Sequence, residues 1–246
     1  MPAPTAEVLN DLAPTGVLRA AINFGNPVLA QRNTETGQPQ GVSVSLAVEL
    51  GKHLGVPVEF ITFDAAGKVF EALANKQWNI AFLAIEPVRE AQVAFSEPYV
   101  IIEGTYLVKN SSTFFKMEDL DQPGVRIAVG QGAAYDLYLS RSQQHASLVR
   151  APTSAAAVEL FLDQNLEAAA GVRQPLLKVA ESNRELRVLE GSFTSIRQAM
   201  GVPAQCVAGA AYIRAFLEEQ KASGFVLKAL ADSGQSDVTV APLQAN

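Results

Sequence analysis

Short apolar runs alternate with longer stretches of helical spacing through most of this chain, and that alternation limits the fold more than any other feature. Val17 to Ile22 (VLRAAI) reads as a buried strand, opened by Gly16 and closed by the turn-prone NFGNP at 23–27. From Gly41 the run GVSVSLAVELGKHLG places Val44, Ala47, Val48 and Leu54 near helical spacing, and Gly55, with Pro57 just beyond it, suits a helix end. Val58 to Thr62 resumes as strand, 66–77 as helix, Trp78 to Leu83 as strand, and 86–95 as a short helix with Pro87 in its first turn. Ile101 to Val108 is a further strand. Such repetition predicts an α/β fold whose mostly parallel sheets are flanked by helices.

The pattern then begins again. Gly124 to Val129 (GVRIAV) echoes Gly16 to Ala21 (GVLRAA). After it come a helix at Ala133 to Ser142, a strand near Ser147 to Arg150, a helix at Ser154 to Gln164, a strand at Leu166 to Gly171 and a helical run at 174–182. Arg187 to Leu189 and Ser195 to Val202 follow as the last strands. A length of 246 residues, at ~150 per domain, leaves room for between one and two domains. The final stretch holds two helical runs, AAYIRAFLEEQKAS and VLKALADSG, and a polar tail; these helices need a sheet to cover, and the first lobe is the natural one. The expected organisation is one lobe of 1–107 plus 203–246 and a second of 108–202, with chain crossings near Val108 and Gly201 that form a two-strand hinge. In open α/β sheets ligands sit beyond the C-terminal ends of the strands, where helix N-termini present N–H groups. A cleft between two such lobes is therefore the expected site.

Composition narrows the chemistry. Nineteen Lys and Arg against twenty-five Asp and Glu give a net charge of −6, with no run of like charges, which argues against a grip on nucleic acid. No window is apolar enough to span a membrane. A single cysteine, Cys206, excludes an internal disulfide and a thiolate zinc cluster, and His53 and His145 lie far apart, so no metal site is expected. The first sixteen residues lack the basic start and apolar run of a secretory signal. Either a signal has been removed and a start Met supplied, or the protein works in the cytoplasm.

Four stretches carry a family likeness: GVLRAAINFGNP, QGVSVSLAVELGKHLGV, KVFEALANKQWNIAFLAIEPVREAQVAFSEPY and LDQPGVRIAVGQGAAYDLYL. Together they resemble the family 3 periplasmic solute-binding proteins, receptors that feed amino-acid ABC transporters. The likeness runs from Gly16 to about Gly234, and its most specific part is Arg89 followed by Phe95-Ser96-Glu97-Pro98-Tyr99. The resemblance implies a two-lobed periplasmic-binding-protein-like fold that closes over one small carboxylate-bearing ligand. It also implies a periplasmic monomer without a cofactor, with an ABC transporter permease as partner.

The same resemblance assigns site residues. Arg89 occupies the place of the arginine that grips the ligand carboxylate; a planar guanidinium bonds both oxygens, each charge-assisted bond contributing roughly 1.5–3 kcal/mol. The alternative for Arg89 is pairing with Glu86 or Glu90 on a solvated helix face. Gly132, Ala133 and Ala134 match the loop that donates backbone N–H groups from the second lobe, although the family usually places Thr at one or both alanines. Gln131 is a further contact from that loop. Ala84 and Glu86 stand where family members carry Ser or Thr and Thr, and Glu86 either takes a ligand ammonium or complements a helix dipole. The family's ammonium-binding Asp falls on Val172 or Arg173, and an arginine there would favour an anion without an amine. Phe24 and Asn26, with Asn23, Phe63 and Asp64, are the strand-end residues that would wall the cleft, while Phe82 and Trp78 read as packing.

Two other classes share the pattern. Cyclohexadienyl dehydratases resemble the same fold and carry a phrase like DQPGV, here at 121–125, but elimination of water needs an acid or base, and the chain reads GVRQP where those enzymes place carboxylates. Neither histidine nor Cys206 has a recognisable catalytic partner. A cytoplasmic sensor of the same shape is the remaining alternative.

Overall fold

The computed structural model describes residues 2–244; Met1 and the last two residues of the expected polar tail lie outside them. The chain opens with a helix that the sequence reading did not anticipate, α1 (Ala6–Leu12), whose first turn is capped by the Thr5 hydroxyl accepting from the Val8 N–H. Then come β1 (Leu18–Asn23), a small hairpin of β2 (Gln31–Arg32) and β3 (Pro39–Gln40), α2 (Val42–Leu54) and β4 (Val58–Phe63). Gly55 ends α2 in the left-handed region at φ 70°, and its N–H returns to the Gly51 and Lys52 carbonyls. α3 (Ala66–Glu71) tightens into a 3₁₀ turn at Ala72–Asn75, and β5 (Ile80–Ala84) begins two residues later than expected because Trp78 is packed, its indole N–H on the Val69 carbonyl at 2.8 Å.

The expected helix over 86–95 is only α4 (Pro87–Glu90), and β6 (Val93–Lys109) starts well before Ile101. Tertiary packing overrides local spacing here. Val93 and Phe95 lie so close to Gly201 that an added Cβ would meet them at 2.5 and 3.1 Å. The rest of the order is β7 (Arg126–Gly130), α5 (Ala134–Ser142), β8 (Ser147–Ala151), α6 (Ser154–Asp163), β9 (Ala168–Val172), α7 (Arg173–Ser182), β10 (Leu186–Val188), β11 (Thr194–Pro203), α8 (Val207–Ala222), α9 (Phe225–Asp232) and β12 (Thr239–Val240).

The chain divides into two units. The first takes in the described residues up to Phe63, Lys68–Ile101 and those from Arg197 onward; the second takes in Asp64–Gly67 and Ile102–Ile196. The divisions fall inside β6, between Ile101 and Ile102, and inside β11, between Ile196 and Arg197, so both strands contribute to both units; the crossings were expected near Val108 and Gly201.

In the first unit the strand order is β4-β1-β5-β11-β6. β1 pairs in parallel with β4 and β5, while β11 runs antiparallel to β5, with Gln198 opposite Ala84. α1 packs on α8 through Gly209, where a Cβ would meet Leu12 at 2.8 Å. The tail is not simply polar: β12 pairs with Val100 and Ile101 of β6. Lys221, whose side chain is 1% exposed, donates to the Pro242 carbonyl at 2.9 Å and the Pro98 carbonyl at 3.3 Å and pairs with Glu218.

In the second unit the order is β6-β9-β7-β8, with β7 parallel to β8 and β9, and β6 antiparallel to β9. Leu107, Phe161, Leu166 and Leu176 are among its core residues. Each such fully buried side chain contributes ~1.5–3 kcal/mol relative to exposure.

Candidate ligand-binding site

In the first unit the expected residues gather at the C-terminal end of β5. Ala84 closes the strand, and Ile85 donates its N–H to the Arg197 carbonyl at 2.9 Å. Glu86, extended at φ −139° and ψ 140°, is the N-cap of α4, and its carbonyl accepts from the Arg89 and Glu90 N–H groups. A helix of four residues lets the side chain of Arg89 fold back to the strand it followed. Nη1 of Arg89 donates to the Ala84 carbonyl at 3.0 Å.

Arg89 is 1% exposed and Glu86 8%. The reading in which Arg89 pairs on a solvated helix face is therefore incorrect, whereas Glu90 does face water. Burial lowers the guanidinium pKa to about 10, opposed by the negative charge of Glu86, so the side chain stays protonated at neutral pH. An isolated buried cation costs several kcal/mol, and nearby opposite charge offsets that cost.

The phrase after Arg89 is structural in this unit. Ser96 Oγ accepts from the Met200 N–H at 3.0 Å, and the Tyr99 hydroxyl lies 3.1 Å from the Ser43 hydroxyl, both buried. Phe82 meets Tyr99 edge to face, as core packing requires. Phe24 extends the β1 ladder through its N–H to the Phe63 carbonyl, and the Arg32 guanidinium lies 4.7 Å from its ring centre. Asn26 is 8% exposed; its side-chain oxygen accepts from the Val28 N–H and its carbonyl from Leu29 and Ala30. That residue holds a turn, a local role that Asn takes in many loops.

In the second unit Gln131, Gly132 and Ala133 join β7 to α5. Gly132 sits at φ +71°, a conformation that glycine adopts without strain. Two of the three expected N–H donors are engaged inside the unit: Gly132 donates to Asp136 Oδ2 at 2.8 Å and Ala133 to the Gly130 carbonyl at 3.1 Å. Ala134 is the first residue of α5, whose N-cap Ala133 makes no side-chain cap bond. Gln131 is exposed, its N–H on the Ala151 carbonyl.

Asp136, 3% exposed, also binds Arg150 and the Ser140 hydroxyl. The Tyr135 hydroxyl donates to Ser154 at 2.7 Å. The sequence reading missed Asp136 and Arg150. An acidic residue four positions after the loop glycine was its one available signal.

Arg173 opens α7 directly after β9 and turns within its own unit. Its Nε donates to Glu103 Oε2 at 2.5 Å, Nη1 reaches the Leu189 carbonyl at 3.5 Å, and Nη2 bonds the Gly191 carbonyl. Glu103 was also missed, since nothing local in the sequence marks a partner 70 residues away. Cys206 is the N-cap of α8, and burial together with Asp11 pushes its thiol pKa up. Among the described residues no cluster of His, Cys, Asp and Glu could hold a metal ion, and no helix is long and apolar enough to cross a membrane.

Residues 18–232 match the model of the bacterial extracellular solute-binding proteins, family 3, and the chain belongs to that family. Among solved structures, a mutant of ArgBP from T. maritima is 22% identical with a TM-score of 0.79, covering 92% of this chain and 99% of that one. The cysteine-binding protein from Campylobacter jejuni is 19% identical with a TM-score of 0.78, covering 92% of each chain. An ancestral amino acid-binding protein, a precursor of cyclohexadienyl dehydratase, is 23% identical with a TM-score of 0.76 over 91% of this chain and 98% of that one. At these identities the likeness shows the fold. No curated protein matches the chain.

Proposed function

We propose that the chain captures a small carboxylate-bearing solute, an amino acid or related organic acid, for an ABC transporter permease. The observation that carries this reading is Arg89: a protonated guanidinium buried beside Glu86 at the C-terminal end of a parallel strand, where α/β folds bind ligands. Arg89 bonds the ligand carboxylate, and Glu86, three residues away, takes the ammonium. The engagement of Arg173 by Glu103 supports an amine-bearing ligand over an amine-free dianion, because it leaves Arg173 occupied rather than available as the further cation that a dianion would need. The binding of arginine and of cysteine by proteins of the same fold supports the same choice.

A thermal-shift panel of free amino acids and dicarboxylates tests this. The expected result is a saturable hit from an amino acid, weakened on the order of 10- to 100-fold for each carboxylate bond removed. Arg89→Ala should abolish it and Arg89→Lys should retain a fraction, with circular dichroism confirming that each variant folds. An unchanged shift in folded Arg89→Ala would remove this residue from the site.

A further inference from the structure

The first unit carries a cavity of about 590 Å³ at the end of its sheet where β1 begins and β11 finishes. Asn79, on its wall, precedes Ala84 by five residues, about 16 Å along an extended strand, so the cavity lies at the opposite end of β5 from Ala84; its wall takes in Ala91 and Gln92, just past α4, but neither Glu86 nor Arg89. Arg19 and Lys76 line it.

Asn79 is 6% exposed and holds Arg19 in place: its side-chain oxygen accepts from the Arg19 backbone N–H at 3.0 Å and from Nε at 3.3 Å. The terminal nitrogens of Arg19 have no acceptor among the described residues. Lys76 is set by a left-handed turn at φ 52°, which L residues seldom adopt, and has no ion-pair partner among the described residues. One carboxylate lines the cavity, Asp11, and its Oδ2 already accepts from the Gly209 N–H at 2.9 Å. Cys206 adds no negative charge, since its thiol stays protonated at neutral pH.

Two cations therefore face one engaged carboxylate in a space within the ordinary range for small-molecule sites. A single surface cation is well served by water. Two, with one guanidinium anchored by a buried amide, favour a partner that brings more than one negative charge. We propose that this cavity is a second binding site of the chain, for a small multivalent oxyanion of the phosphorylated or polycarboxylated class.

Calorimetric titration of the full chain with inorganic phosphate and, separately, with citrate tests the site, using sodium chloride at matched ionic strength as reference. We expect saturable binding of one of the two, and which one responds identifies the class. Lys76→Gln, at an exposed position that leaves packing intact, should weaken that binding at least tenfold, and Ala74→Glu, which adds a carboxylate to the cavity wall, should abolish it. Arg89→Ala should leave it unchanged. The proposal is overturned if neither anion binds beyond the chloride reference, if Lys76→Gln and Ala74→Glu bind as the parent does, or if Arg89→Ala removes the response.

Discussion

The Arg173 guanidinium joins the Glu103 carboxylate of β6 to the carbonyls of Leu189 and Gly191, which precede β11. Thr105 Oγ1 donates to the same two carbonyls. The Arg173–Glu103 pair is partly solvated, at 22% and 48% side-chain exposure, so its charge attraction is worth less than about 1 kcal/mol. The bonds to the carbonyls should decide the outcome. Arg173→Ala is expected to destabilise the protein by ~1–2 kcal/mol and Glu103→Gln by clearly less, read by urea unfolding. Equal losses would mean that the ion pair, not the carbonyl bonds, holds the loop.

Asp136 should matter more than its partner Arg150. Asp136 is buried and satisfies the Gly132 N–H, whereas Arg150 is 43% exposed and can return to water. The cost of Asp136→Ala is therefore expected near 1–3 kcal/mol, the range for a lost buried hydrogen bond, rather than the 3–5 kcal/mol of a stranded buried charge. Arg150→Ala should cost under about 1 kcal/mol. Thermal unfolding of the two variants gives the order directly.

Glu167 supplies a pH dependence. Its bonds with Arg126 hold the carboxyl below the ordinary carboxylate range, against a smaller opposing effect of burial. A depressed folded-state pKa gives stability that is fully present above the unfolded value and fades as pH falls through the folded one. The advantage of the parent over Glu167→Gln should thus be constant near neutral pH and shrink in acid. The site is mostly solvated, so the difference at neutral pH is expected below about 1 kcal/mol, and a gap that grows on acidification would contradict the assignment.

Gly51 lies in α2 against β4, where a Cβ would meet Val58 Cγ2 at 2.3 Å and the Val56 carbonyl at 3.1 Å. Alanine improves helix propensity by up to about 1 kcal/mol, while overpacking costs roughly 1–3 kcal/mol. Val58 is β-branched and cannot swing away cheaply. Net destabilisation is expected for Gly51→Ala in chemical denaturation, and a stabilised variant would show that β4 shifts without strain.

The sequence made the strands legible wherever an apolar run was bounded by Gly or Pro: Val17 to Ile22 and Val58 to Thr62 differ from β1 and β4 by a residue at most at each end. It concealed α1, which is only seven residues long and whose decisive feature is the Thr5 cap. Over 86–95 the helical spacing lost to strand pairing, which a one-dimensional pattern does not register. The arginine at 89 was visible as a candidate, but its burial was not, since burial depends on a four-residue helix turning the side chain back onto Ala84. Arg173 misled for a related reason: whether a cation is available depends on a glutamate 70 residues away.

Lys221 places an ammonium group beneath the carbonyl of Pro242, four residues short of the chain's end. Proteolytic clipping before that proline would not trim a loose end; it would strip a charge of one of its solvating dipoles in a water-poor setting and loosen β12 beside it. Truncations meant to leave the fold undisturbed must therefore keep Pro242 and the β12 residues before it.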